Sequence, residues 1–246
     1  DLDWPVKLDE DITGKPKWVQ KLPPLNSDDV ADIKRAALGQ ARVLAGVDDA
    51  IERIFTELDA AGMLDDTFVF LSSDQGVHYG EHRWGSAYDI PAGVQKQTLY
   101  DPVLRIPMLA TGPDFHVGTT AVNVTQADIT ATVAAIGGVT PTHALDGIDL
   151  RKLSHESELY EDRTLLIQAI TAFTPAPSYD GVVTGTAHAL APRHKFARLA
   201  TGEYELYDLA ADPDELVNLA VDPAHANTAT ALEAELDALL ARPSVS

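Results

Sequence analysis

Apolar residues recur every three or four positions from Val30 to Leu58, and this spacing predicts one long amphipathic helix. Extended from Ser27 to Ala61, such a helix would span about 50 Å at the rise of an α-helix. Ser27 suits the N-cap position, and Gly62 suits the C-terminal stop. A helix with one apolar face packs that face on another layer, so the pattern predicts a layered domain.

The segment "TFVFL", from Thr67 to Leu71, predicts a strand. It is apolar throughout and lacks period-two alternation, which is typical of a strand buried on both faces in a parallel sheet. A second candidate strand lies in "RIPMLATGP", and "QADITATVAAIGG" predicts a short helix that ends at Gly137 and Gly138. Together with the long helix, these elements predict a main domain of the α/β class over residues 1–153.

The pattern changes after Leu153. The segments "TLLIQAI", "DGVVTG" and "HKFARLATGEYELYDL" predict strands, with a hairpin at Thr201–Gly202, and "TATALEAELDALLA" predicts a closing helix. Local hairpin connections favour an antiparallel sheet. Residues 154–246 are therefore predicted to form a small α+β subdomain.

Charge and cysteine content exclude several kinds of function. The 38 acidic and 18 basic residues give a net charge of −20, which argues against nucleic acid or an anionic membrane surface as a partner. No apolar run approaches the ~20 residues of a membrane span, and no signal peptide is visible. The absence of cysteine excludes disulfides, thiolate metal sites and a cysteine nucleophile in this chain. Because the chain begins with Asp1, we expect a processed product or a fragment.

Polar side chains follow directly on the first predicted strand. Asp74 and Gln75 come after "FLSS", and Gly76 lets the backbone turn sharply. In open α/β sheets ligands bind beyond the carboxyl ends of strands, and oxygen-only ligands favour Ca²⁺ or Mg²⁺ over Zn²⁺. The alternative is that Asp74 caps the turn and Gln75 is a surface amide.

The same loop also fits a zinc-protease pattern. "HYGEH", from His78 to His82, matches H-x-x-E-H, which requires both histidines on one face of a helix. Gly76 and Gly80 flank and interrupt this segment, and a glycine inside a helix costs about 1 kcal/mol. The two glycines therefore argue against the protease hypothesis, although the spacing fits it.

A longer set of motifs resembles the second half of a sulfatase, in the alkaline-phosphatase-like superfamily. The segment "GMLDDTFVFLSSDQGVHYGEH" is followed by "KQTLYDPVLRIPMLATGP", and the tail contains "ELYDLAADPDELVNLAVDP". The resemblance extends over almost the whole chain, from "KPKWVQKLPPL" onward. It implies part of an alkaline-phosphatase-like mixed sheet with flanking helices, followed by the small α+β subdomain.

The resemblance also implies roles for individual residues. Asp74 and Gln75 match the family's metal-binding pair, which implies Ca²⁺ or Mg²⁺, and Lys96 matches the lysine that contacts the sulfate ester. An ammonium suits that role because negative charge builds on the ester oxygens in the transition state. Arg105 matches a framework residue, and His78 and His82 are expected at the rim of the site.

The departures from the family pattern leave two classes of function open. The chain has no C-x-P-x-R or S-x-P-x-R segment, in which the family's nucleophile lies, and only half of the family's metal ligands. It is expected either to form part of a sulfuric ester hydrolase or to be a non-catalytic remnant or binding module. Phosphoester or phosphonate hydrolysis is a neighbouring alternative.

Expected partners follow from the same resemblance. They are a small sulfate ester or a sulfated carbohydrate as substrate, and the protein's own N-terminal half or a second copy as the cover for an exposed apolar face. The chain alone is expected to be inactive.

Overall fold

The computed structural model describes residues 11–84, 97–171 and 175–242. Two sheets form in these ranges, one of two strands and one of four. The α-helices described are α1 (Lys17–Gln20), α2 (Ser27–Ala60), α3 (Asp101–Leu104), α4 (Gln126–Ile136), α5 (Leu153–Glu156) and α6 (Ala226–Leu240). The strands described are β1 (Val69–Ser72), β2 (Met108–Thr111), β3 (Leu165–Ala169), β4 (Tyr179–Val183), β5 (His194–Leu199) and β6 (Tyr204–Asp208).

The predicted long helix is confirmed as α2, although its N-cap is Asn26 rather than Ser27. The Asn26 side chain accepts hydrogen bonds from the backbone N–H groups of Asp28 and Asp29, and the Asp29 carboxylate accepts the Asn26 N–H at 2.9 Å. This reciprocal capping box satisfies donors that a helix start leaves unpaired, which explains why the helix begins one residue after Asn26.

Most of the apolar stripe of α2 is exposed within the described residues. Of the helix, Asp29 and Ile33 are buried, whereas Val43 and Leu44 are 70% and 66% exposed. The periodicity therefore predicted the helix correctly, but the described part of the chain leaves most of the apolar face of α2 uncovered. Among these residues, no helix combines the length and hydropathy required to cross a membrane.

The prediction that "TFVFL" is buried on both faces in a parallel arrangement is wrong for this chain. β1 pairs antiparallel with β2, with Phe70 opposite Ala110 and Leu71 opposite Leu109. Leu71 and Leu109 are 42% and 56% exposed. An apolar run indicates a strand that can be buried, but the direction of its neighbour depends on a segment about 40 residues away in the sequence.

The C-terminal sheet confirms the antiparallel prediction. Its strand order is β3-β4-β5-β6, with every pair antiparallel, and β5 and β6 are joined by the hairpin at Thr201–Gly202. Gly202 has φ 82°, a conformation that a turn obtains most readily from glycine. One face of this sheet packs against α6, through Leu232 and Leu236.

The opposite face of the four-stranded sheet is covered by segments from the first half of the chain. This second core contains Trp18 and Val19 of α1, together with Trp84 and Tyr100, packed against the sheet. Alternation along β6 explains the two cores, because Leu206 faces α6 while its neighbour Tyr207 faces Tyr100. The division at residues 153 and 154 stays a prediction.

Candidate functional site

The Asp74–Gln75 pair lies in the loop that follows β1. The Gln75 side-chain amide donates a hydrogen bond to the Asp74 carboxylate at 3.1 Å, and the Ser73 hydroxyl donates to the backbone carbonyl of Gln75 at 2.8 Å. Asp74 is exposed and Gln75 is half-buried. The two side chains are therefore side by side at the end of the strand.

Gly76 holds this loop against α3. Its N–H donates to the backbone carbonyl of Val103 at 2.9 Å. A Cβ atom at position 76 would lie 2.0 Å from the backbone oxygen of Pro102, closer than any real contact. Glycine is required here because the two backbones approach so closely, and this approach fixes the residue next to Asp74 and Gln75.

The chemistry of this pair fits a hard divalent cation, but the number of ligands is incomplete. A carboxylate and an amide oxygen are donors that Ca²⁺ and Mg²⁺ prefer. Ca²⁺ takes six to eight oxygens, and the described ranges contain no group of three or more His, Cys, Asp or Glu side chains arranged to hold a metal ion. Asp74 and Gln75 can therefore form at most part of such a site.

Of two further residues singled out from the sequence, Lys96 and Arg105, the structure describes only Arg105. Lys96 lies outside the described residues, so its expected contact with the sulfate ester stays a prediction. Arg105 follows α3 directly and precedes β2, and its side chain is exposed.

The prediction that His78 and His82 lie at the rim of the site is wrong. Both residues are 1% exposed. His78 Nε2 is 2.7 Å from the Thr98 hydroxyl, and the His82 ring stacks on Tyr100 with ring centroids 3.8 Å apart. Burial holds the pKa of His82 well below its ordinary value.

The backbone of the loop excludes the H-x-x-E-H arrangement of a protease. Gly80 has φ 105° and His82 has φ 56°, so no continuous helix runs from His78 to His82. The two rings are therefore not presented one turn apart on one helical face, as a zinc site of that kind requires.

A buried ionic cluster joins α3 to the C-terminal sheet, and sequence reasoning missed it. Lys195 Nζ lies 2.5 Å from Asp101 Oδ1 and 2.6 Å from Glu215 Oε1. The backbone N–H of Asp101 donates to Glu215 Oε2 at 2.6 Å. Burial alone would lower the pKa of Lys195, but the charges of Glu215 and Asp101 outweigh it and raise that pKa.

A second polar group lies beside this cluster. Tyr100 donates to Glu205 Oε2 at 2.8 Å, and Tyr207 donates to the same oxygen. The Lys15 ammonium lies over both rings, 4.7 Å from the centroid of Tyr100 and 4.6 Å from that of Tyr207. These contacts hold Tyr100 and therefore the ring of His82 that stacks on it.

No local signal in the sequence could have indicated either group. Lys195 and Glu205 lie in strands where alternation predicts one buried face, and a charged residue there is normally assigned to the solvent side. Their partners come from distant segments, so only the tertiary structure shows that the charges are paired.

Two family models match the chain. The model of the sulfatase family matches residues 19–139, and the model described as "N-sulphoglucosamine sulphohydrolase, C-terminal" matches residues 80–242. Together they cover the strand-end loop, both sheets and all of α6.

Individual relatives agree with these models. The chain is 28% identical to an arylsulfatase of Volvox carteri, over 94% of the chain and 38% of that protein. It is 24% identical to a human N-acetylglucosamine-6-sulfatase, over 81% of the chain and 40% of that protein. The chain thus spans less than half the length of these relatives.

A solved structure agrees in fold. The crystal structure of yidJ from Bacteroides fragilis superposes with a TM-score of 0.70 at 21% identity, over 93% of this chain and 46% of that one. Since a family model covers more than half of the chain and the relatives agree with it, this chain belongs to the sulfatase family of alkaline-phosphatase-like proteins.

Proposed function

We propose that the chain is a segment of a sulfuric ester hydrolase and contributes Asp74 and Gln75 to its divalent cation site. The observation that carries this proposal is the pairing of a carboxylate and an amide at the end of β1, in a chain of the sulfatase family. Ca²⁺ is the expected ion, with Mg²⁺ as the second choice, because both donors are oxygens.

The roles of the other groups follow from the chemistry of a sulfate ester. When bound, the cation supplies positive charge where the ester oxygens become more negative. Lys96 supplies a second positive charge to the same anion. The nucleophile must come from outside this stretch of sequence, because the chain has no cysteine and no S-x-P-x-R segment.

The proposed substrate is a sulfated carbohydrate or another sulfate ester. This class is supported by the two relatives, whose names describe an arylsulfatase and an N-acetylglucosamine-6-sulfatase.

The exposed apolar surface supports a partner for this segment. Val43 and Leu44 of α2, and Leu71 and Leu109 of the small sheet, are all more than 40% exposed. Such surface is normally covered by a partner. The proposed cover is the N-terminal half of the same protein, with a second copy of the chain as the alternative.

Asp74→Ala is expected to weaken Ca²⁺ binding in the complete protein, this chain together with its N-terminal half, by at least about tenfold. Removing a carboxylate takes away both a ligand oxygen and a negative charge. Titration calorimetry measures this affinity. Asp66→Ala, which removes an exposed carboxylate just before β1, is the matched control and should bind as wild type. Equal affinities for the wild-type and Asp74→Ala proteins would remove Asp74 from the metal site.

Lys96→Ala is expected to lower kcat/KM for an aryl sulfate by about 10²-fold in the complete protein, which is the scale of losing one electrostatic stabiliser. Lys152→Ala, at an exposed lysine, is the control. Wild-type kinetics after Lys96→Ala would exclude Lys96 from the site.

The same assay separates the alternative functions. Absence of turnover in the wild-type protein with aryl sulfates would favour the non-catalytic alternative. Turnover of a phosphonate ester instead would favour phosphonate hydrolysis.

A further inference from the structure

The cation pair is connected to the C-terminal sheet by a short series of direct contacts. Gly76, the residue after Gln75, is fixed to the two middle residues of α3 through its hydrogen bond to Val103 and its close approach to Pro102. α3 has only four residues, so Pro102 and Val103 cannot move independently of its first residue, Asp101.

Asp101 is held at two points by residues of the C-terminal subdomain. Its carboxylate lies 2.5 Å from Lys195 Nζ, and its backbone N–H donates to Glu215 at 2.6 Å. Lys195 is fully buried in β5, between strands β4 and β6 of the four-stranded sheet. The start of α3 is therefore fixed by its contacts with Lys195 and Glu215.

Burying the charged side chain of Lys195 in the sheet costs a desolvation free energy that an apolar side chain would not have. Taking an ammonium out of water costs several kcal/mol, and its ion pairs offset that cost only when the geometry is good. Unlike an apolar side chain, the ammonium attracts the Asp101 carboxylate and holds it at one point on the sheet.

We propose that Lys195 is a positioning residue for the cation pair Asp74 and Gln75, acting through Asp101 and α3. The inference rests on the proposed function, since it assumes that this pair binds a cation. Lys195 does not touch the ion in this account. It holds the backbone against which Gly76 packs, and so sets where the neighbouring Gln75 and Asp74 present their oxygens.

The test is Ca²⁺ affinity, measured by calorimetry in the complete protein at a temperature where circular dichroism shows each variant to be folded. Asp101→Asn and Lys195→Met should each raise the Kd by about tenfold or more, the scale for losing a partner that orients a metal ligand. The double variant should be no weaker than the weaker single variant, because both changes break the same connection.

Leu236→Ala is the control for loss of stability alone. Leu236 is a buried residue of α6 that packs on the sheet face opposite to Lys195, and its truncation should destabilise the protein by about 2–5 kcal/mol. The Kd of this variant should match that of wild type. A general loss of stability would instead affect all three variants alike.

The outcomes separate this inference from the proposed function. Unchanged Kd values in Asp101→Asn and Lys195→Met, beside weakened binding in Asp74→Ala, would overturn the positioning role and leave the cation site intact. Unchanged binding in Asp74→Ala would overturn the cation site and the positioning role together. If Lys195→Met does not fold, Asp101→Asn decides the matter by itself, because it keeps the side-chain volume and removes only the charge.

Discussion

Asp128→Ala should lower the free energy of unfolding by about 3–5 kcal/mol, the range for removing one partner of a buried ion pair. The Asp128 carboxylate is fully buried and accepts two hydrogen bonds from the Arg163 guanidinium, both at 2.8 Å. It also accepts the backbone N–H of Thr125 at 2.7 Å and that of Ile148 at 2.8 Å. Truncation leaves a cation and two backbone donors without this acceptor.

Urea denaturation measures the loss, and Asp237→Ala is the matched control. Asp237 lies 3.1 Å from the Arg198 guanidinium, but its side chain is 59% exposed. Such surface pairs contribute about 0–1 kcal/mol. If both aspartate variants lose the same free energy of unfolding, burial does not make the Asp128–Arg163 pair more stabilising than a surface pair, which would contradict this prediction. The Asp128 network joins the start of α4 to the segment before β3.

Glu215→Gln should remove a pH dependence of stability worth about 3 kcal/mol between pH 4.5 and pH 7. Burial raises the pKa of Glu215 to about 7, with Lys195 opposing this rise and Asp101 adding to it. In that window the folded state binds more protons than the unfolded state. The contribution of this group to stability is therefore fully present below the ordinary pKa and is lost as the pH rises through about 7.

The measurement is the free energy of unfolding of both proteins at a series of pH values from 4.5 to 8. The difference between wild type and Glu215→Gln should favour wild type most at low pH and shrink as the pH rises. Glu57→Gln, on an exposed face of α2, supplies the baseline for removing one carboxylate. A difference that stays constant across the series would contradict the raised pKa of Glu215.

Local patterns in the sequence were enough to predict several elements. The spacing of three and four residues from Val30 to Leu58 predicted α2, and the turn at Thr201–Gly202 predicted the β5–β6 hairpin. These predictions succeed because helix periodicity and turn chemistry depend on neighbours within a few residues. The position of Asp74 and Gln75 after β1 was predicted for the same reason.

Contacts between distant segments could not be predicted in this way. β1 pairs antiparallel with β2, and His82 turns into the core because its backbone has a positive φ. Neither feature has a periodic pattern. The burial of His78 and His82 follows from the aromatic rings packed against them: Trp84 contacts His78, and Tyr100 stacks on His82.

Local sequence patterns located the longer helices α2, α4 and α6, the strands, and the side-chain oxygens that follow the first strand, because those properties depend on nearby residues. The contacts of Lys195 with Asp101 and Glu215 depend instead on how the whole chain folds. Lys195 is 94 positions from Asp101 and 20 from Glu215, and each residue alone is an ordinary charged side chain that would be assigned to the surface. Their charges can be buried because chain folding brings them within hydrogen-bond distance, and this is a property of the packed sheet rather than of any one segment.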